Sequence, residues 1–125
     1  MTYSFNLLLT AYNWINNTAA IGLASSGTGD IAPFLAINNT NAPLVATLVV
    51  QAAYTNMNTI CLGNTEQMTI TVNPRPNVEP IVDQVVCHNE NVLPVQFSGA
   101  VPGTIYNWLN SETSIGLAAG GVGNI

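Results

Sequence analysis

Residues 12–31 read YNWINNTAAIGLASSGTGDI, and residues 106–125 read YNWLNSETSIGLAAGGVGNI. The two stretches are identical at eleven of twenty positions without a gap, and each position is shifted by 94. A period of this length exceeds the roughly 33 to 47 residues of helical solenoid repeats and fits a β-sandwich of about 100 residues. The sequence therefore predicts a tandem array of sandwich units.

The same shift predicts how the chain divides. Residues 1–73 correspond to one unit that lacks its first strand, and residues 81–125 correspond to the N-terminal part of the next unit. Between them, residues 74–80 contain Pro74, Pro76 and Pro80. Because proline forbids helix and favours extended polyproline II, we expect a stiff linker there.

Alternating apolar residues predict an all-β fold, an antiparallel sandwich of the immunoglobulin-like type. Residues 44–52 alternate so that Leu48 and Val50 face a core, and residues 67–72 place Ile70 inward in the same way. Trp14 and Trp108 lie in early strands, where such sandwiches bury a tryptophan. Further strands are predicted at 11–15, 31–37, 81–86, 92–98 and 104–109.

Charge is scarce in this chain. Only 6% of residues are charged, against about 25% in average soluble domains, and Arg75 is the one Lys or Arg. Nucleic acid and anionic membranes need several cations, so neither is an expected partner. No apolar stretch reaches the ~18 residues of a spanning helix, so membrane insertion is not expected. Residues 1–10 lack the positive charge of a secretory signal. If the protein is exported, we expect the signal to lie on a longer precursor.

These segments resemble the PKD-like, immunoglobulin-like repeats of large Bacteroidota cell-surface proteins. The resemblance rests on residues 21–31, 42–50, 67–74, 86–89 and 101–108, and residues 115–125 repeat the first of these. It implies secreted stalk or adhesin modules without catalytic residues or cofactors. It also implies Thr at the outward positions of Val45 and Val49. The two valines are therefore either a packing surface for a neighbour or scattered surface residues.

The two cysteines, Cys61 and Cys87, fall in different predicted units. We place Cys61 in a loop before a last strand and Cys87 after a first strand. An in-unit bridge would join Cys87 to a cysteine about 94 positions beyond Cys61, outside this sequence, and would suit an extracellular protein. Within this sequence both thiols would then be unpaired, and a Cys61–Cys87 bridge is the second choice.

No enzyme chemistry, cofactor or metal site is predicted. Cys87 and His88 are neighbours in an extended segment, so their side chains point to opposite sides. Gly27-Thr28-Gly29-Asp30 lacks the Lys and helix of a phosphate loop, and one carboxylate is too few for calcium. Glycine turn geometry explains this stretch better.

Three functional hypotheses remain. The first is a structural or adhesive module of a long extracellular bacterial surface protein, whose partners are neighbouring repeats. The second is a self-assembling extracellular fibre in which identical copies complete one another by strand addition. The third and weaker one is a carbohydrate-binding module that binds surface glycans through Tyr12 or Trp14.

Overall fold

The computed structural model describes residues 9–125. They form antiparallel strands with two short 3₁₀ turns, so the all-β prediction is confirmed. The chain divides into two compact units, Met1–Pro74 and Arg75–Ile125. The start of the first predicted unit, residues 1–8, lies outside the described residues.

The first unit contains a four-stranded antiparallel sheet. Its strands are β1 (Leu9–Asn16), β2 (Ser26–Thr28), β3 (Leu44–Asn56) and β4 (Thr59–Val72), in the spatial order β2-β1-β3-β4. A 3₁₀ turn, Ala19–Ile21, connects β1 to β2. All eight residues of β1 pair with β3, from Leu9 opposite Thr55 to Asn16 opposite Leu48.

A tight turn joins β3 to β4. Met57 and Asn58 have φ values of 51° and 68°, so both lie in the left-handed region, as the two central residues of a type I′ hairpin must. A bulge between Gln51 and Ala53 shifts the register partway along the hairpin. The hairpin is longer than the sequence indicated, and Cys61 lies on β4 opposite Tyr54, not in a loop.

One face of this sheet carries the core of the first unit. Trp14, Ala46 and Leu48 project from β1 and β3, and Ile21 and Leu23 cover them from the β1–β2 connection. Leu48 and Ile21 are fully buried, and burial of such side chains contributes about 1.5–3 kcal/mol each. Partly buried around them lie Ile31, Phe34, Leu44, Val50, Ile70 and Val72.

The second unit has much less regular structure. β5 (Asn107–Leu109) pairs with β6 (Gly120–Val122), and a 3₁₀ turn, Thr113–Ile115, lies between them. Val95 and Ile125 exchange two backbone hydrogen bonds of 2.7 and 2.9 Å. No residue of 75–125 is buried, so this unit has no closed core.

Three predicted strands, 31–37, 81–86 and 92–98, do not form strands. Pro33 lacks an amide donor, and the 31–37 segment is held by the Ile37 amide, which donates to the Ile21 carbonyl at 2.8 Å. In the second unit the Gln84 side chain bonds both the amide (2.9 Å) and the carbonyl (3.1 Å) of Leu93. A side chain thus takes the place of a strand partner.

The predicted linker is bonded to the second unit in part. The Glu79 amide donates to the Ser98 carbonyl at 2.8 Å, and the Asn77 side chain accepts from the Ala100 amide at 2.8 Å. Residues 77–79 therefore belong structurally to the second unit.

Candidate functional site

Each unit contains one copy of a compact local structure, which we call the tryptophan motif: residues 12–29 in the first unit and 106–123 in the second. In both copies a strand tryptophan lies opposite a glycine, Trp14 opposite Gly27 and Trp108 opposite Gly121. A Cβ atom on Gly27 would lie 2.6 Å from Cε2 of Trp14, and one on Gly121 would lie 2.7 Å from Cε2 of Trp108. The indole ring therefore requires glycine on the neighbouring strand.

An asparagine two residues after each tryptophan holds the connection that follows it. The Asn16 side-chain amide donates to the carbonyls of Leu23 (3.1 Å), Ala24 (3.3 Å) and Thr18 (3.3 Å), and its oxygen accepts from the Thr18 amide at 3.0 Å. Asn16 is 5% exposed. One buried side chain thus supplies hydrogen-bond partners for several backbone groups of this connection.

Asn110 makes the same four contacts in the second unit. Its side-chain amide donates to Leu117 (3.0 Å), Ala118 (3.2 Å) and Glu112 (3.2 Å), and its oxygen accepts from the Glu112 amide at 3.0 Å. Every partner lies 94 positions after its counterpart in the first unit. The shared sequence is therefore accompanied by a shared hydrogen-bond pattern.

Glycines with positive φ end the turns of both copies. Gly22 and Gly116 follow the 3₁₀ turns with φ of 104° and 101°. Gly29 and Gly123 have φ of 84° and 86°, and their amides donate to the Tyr12 and Tyr106 carbonyls at 2.7 and 2.8 Å. Only glycine adopts such angles without strain, which explains the glycine pattern without a phosphate or calcium loop.

The surroundings of the two copies differ. Ile21 is 0% exposed in the first unit, whereas Ile115 is 69% exposed in the second. Trp14 is 8% exposed, and Trp108 is partly buried. The sequence predicted the same core role for both tryptophans; the second differs because no strand in residues 75–125 corresponds to β3.

An open apolar pocket of about 400 Å³ lies beside Trp108 in the second unit. Tyr106, Phe97, Val78 and Ile81 line it together with Trp108, and the rings of Phe97 and Tyr106 lie 5.9 Å apart. Apolar and aromatic side chains therefore make up much of the pocket lining.

Both indole N–H groups are buried and have no hydrogen-bond partner. Trp14 is also covered by Gly27, so neither its ring face nor its N–H is available for a sugar. Of the two residues expected to bind glycans, Tyr12 remains 51% exposed.

The predicted packing surface lies on the face of the first sheet that is opposite the core. Val45 is 53% exposed and Val49 is partly buried. Ile15, 58% exposed, pairs with Val49 across the strands. Ile15 and Val49 are therefore neighbours on this face, whereas Thr47 lies between Val49 and Val45 along β3.

Cys61 and Cys87 are exposed free thiols in different units. Within residues 9–125, no group of three His, Cys, Asp or Glu side chains is placed to hold a metal ion. None of the helical segments that the structure describes is long and apolar enough to cross a membrane.

The sequence pattern predicted the tryptophans but not the roles of Asn16 and Asn110. The signal that could have found them is the repeat itself, because Asn recurs at this position although asparagine is unfavourable in strands. Comparison with protein-family models, curated proteins and solved structures gives no match for this chain.

Proposed function

We propose that this chain is a segment of a long extracellular bacterial surface protein in which immunoglobulin-like, PKD-like sandwich units recur about every 94 residues. Such an array serves as a stalk or an adhesive segment. The observation that carries the proposal is the tryptophan motif, whose hydrogen bonds recur at positions 94 apart. Recurrence of a structural motif at a fixed spacing indicates repetition of the unit that contains it.

The chemistry of the surface supports this role. Seventeen asparagines and thirteen threonines supply its polarity, whereas charged residues make up 6% of the chain. The single Lys or Arg is Arg75, which precedes Pro76, a sequence that trypsin cleaves poorly. A hydrated surface with few protease sites suits a protein exposed outside a cell.

The local architecture also suits extension. Pro74 and Pro76 lie where the two units meet along the chain, and proline restricts the backbone to extended conformations. Successive units joined in this way keep a limited range of orientations. A stalk needs this property, because a flexible linker would let the array collapse.

The test combines size and location. An antibody against the purified chain is applied to blots of whole-cell extracts and to intact and permeabilised cells that produce the protein. We expect a band several times larger than 13.2 kDa and equal labelling of intact and permeabilised cells. A band near 13 kDa contradicts the array, and labelling that requires permeabilisation contradicts the surface location.

A second candidate, the self-assembling fibre, is favoured by the open second unit. Ile115 is 69% exposed, whereas its first-unit counterpart Ile21 is fully buried. In a fibre, Ile115 would be covered by another copy. This candidate predicts a monomer of 13 kDa in denaturant that forms polymers when the denaturant is removed.

A further inference from the structure

The Trp108 strand has a free edge. In the first unit β1 pairs on both sides, with β2 along one edge and with β3 along the other. In the second unit β5 pairs along one edge with β6, and no other strand within residues 9–125 joins it. The edge that β3 occupies on β1 is therefore open on β5.

The exposure of the two motifs shows what a partner on this edge covers. Ala46 and Leu48 of β3 are fully buried against Trp14, Ile21 and Leu23. Ile115 and Leu117, the second-unit counterparts of Ile21 and Leu23, are exposed and partly buried, respectively. An unpaired strand edge beside exposed apolar residues is a template for strand addition.

We propose that the free edge of β5 receives a β-hairpin with the pattern of β3–β4, supplied by a second copy of residues 32–74 that follows residue 125 in the array. The inference rests on the proposed array and specifies how one of its units is completed. The added strand runs antiparallel to β5. In its register, the counterpart of Val50 lies opposite Trp108 and the counterpart of Leu48 lies opposite Asn110, as in the first unit.

The first unit indicates why the strand added to β5 must be apolar and uncharged. The β3 segment places small or branched apolar side chains at alternate positions toward the tryptophan motif, and Leu48 reaches full burial there. Its outward positions carry no charge. A partner strand with a charge at the Leu48 position would bury that charge without a counterion, which is unfavourable.

Exchange between identical chains is a less favourable source of the hairpin that pairs with β5. Among the described residues each chain carries two tryptophan motifs and one β3–β4 hairpin. A hairpin that leaves its own first unit to cover Trp108 of another chain uncovers Trp14 in its own chain. Hairpin exchange between chains therefore leaves the number of open motifs unchanged. An additional in-line hairpin removes an open motif.

The test uses the chain extended after Ile125 by a second copy of residues 32–74 and kept reduced. Hydrogen exchange measured by mass spectrometry follows the amides of residues 106–110 in the original and extended chains. We expect exchange to slow by at least about tenfold in the extended chain, because strand pairing protects amides. The Trp108 emission shifts to shorter wavelength in the same sample.

The matched control is the extended chain with Leu48→Asp in the appended copy alone. It has the same length and leaves the first unit intact, and we expect exchange at 106–110 to return to the rate in the original chain. Unchanged exchange in the extended chain overturns the inference. The inference is also overturned if concentrating the original chain protects the amides of 106–110 while β1 loses protection. That result would show that identical chains swap their hairpins.

Failure of this inference is distinguishable from failure of the proposed array. The array is judged by the size of the native polypeptide on blots of cell extracts, and the β5 edge is judged by amide exchange in purified protein. A large native polypeptide with no protection at 106–110 leaves the array standing and removes the hairpin.

Discussion

Replacement of Asn16 by alanine tests whether the tryptophan motif depends on its asparagine. The substitution removes the bonds to Leu23 (3.1 Å), Ala24 (3.3 Å) and Thr18 (3.3 and 3.0 Å). The Leu23 bond is buried, and loss of a buried partner costs about 1–3 kcal/mol. The other bonds are only partly buried, and water replaces them in part. We expect the free energy of unfolding of the first unit to fall by about 2–3 kcal/mol.

Asn110→Ala is the matched control, because it removes the same set of contacts from an open unit. The Asn110 bonds to Glu112 and Ala118 are exposed, and the bond to Leu117 is partly buried. Water reaches these carbonyls when the side chain is removed. We expect the second unit to lose about 0.5–1 kcal/mol.

The assay needs a separate signal from each unit, which the two tryptophans provide. In protein labelled with 5-fluorotryptophan, Trp14 and Trp108 give two ¹⁹F resonances that can be followed through a urea titration. At a slope of about 1 kcal/mol per molar urea, the midpoint of the Trp14 transition falls by about 2 M in Asn16→Ala. A shift below about 0.5 M, or equal shifts for the two variants, would refute the reasoning.

Four further substitutions in the first unit have definite expected outcomes. Gly27→Ala places a Cβ against Trp14 and should lower the free energy of unfolding by about 1–3 kcal/mol, measured by the same urea titration. Leu48→Ala empties a fully buried site and should cost about 2–5 kcal/mol, whereas Val45→Ala on the exposed face should cost under about 0.5 kcal/mol. Met57→Asn should raise the thermal midpoint, with a gain of about 0.5–1 kcal/mol, because asparagine tolerates the positive φ of a hairpin turn and Met57 is 71% exposed.

Each of these predictions has a control or a contradicting result. Gly27 is not among the positive-φ glycines, so its loss reports the contact with Trp14, and a loss below about 0.5 kcal/mol would contradict that contact. Gly29→Ala meets nothing within 4 Å and reports the cost of positive φ alone. Equal losses for the Leu48 and Val45 variants would mean that the two faces of β3 are not distinct. A lower thermal midpoint for Met57→Asn would mean that the Met57 side chain contributes a contact that outweighs the strain in its backbone.

Sequence periodicity predicted the strands that pack against a core and failed where pairing has other causes. β3 was predicted from its alternation, because Ala46 and Leu48 recur with a period of two. Its extension into a long hairpin was missed, because the turn is built from Met57 and Asn58 without the glycine that usually marks it. The C-terminal part of β4, residues 67–72, was predicted in the same way, whereas residues 59–66, which include the register shift opposite Ala53, were not.

The second unit shows why apolar runs do not suffice to predict strands. Residues 81–86 are rich in valine and isoleucine, yet they do not pair as a strand, since pairing depends on neighbours that alternation cannot specify. The candidate site was predicted to the extent that it depends on a tryptophan in a strand. The asparagine contacts were missed, because hydrogen bonds to distant carbonyls leave no periodic pattern.

The loops of both units are held by neutral amides. Asn16 and Asn110 hold the motif connections, and the Asn38 side chain joins the carbonyls of Ala42 and Val72 at 2.8 Å each. Amide hydrogen bonds do not titrate, and dissolved salt does not screen them as it screens ion pairs. These attachments therefore keep their strength from fresh water to brine and from acidic to alkaline surroundings.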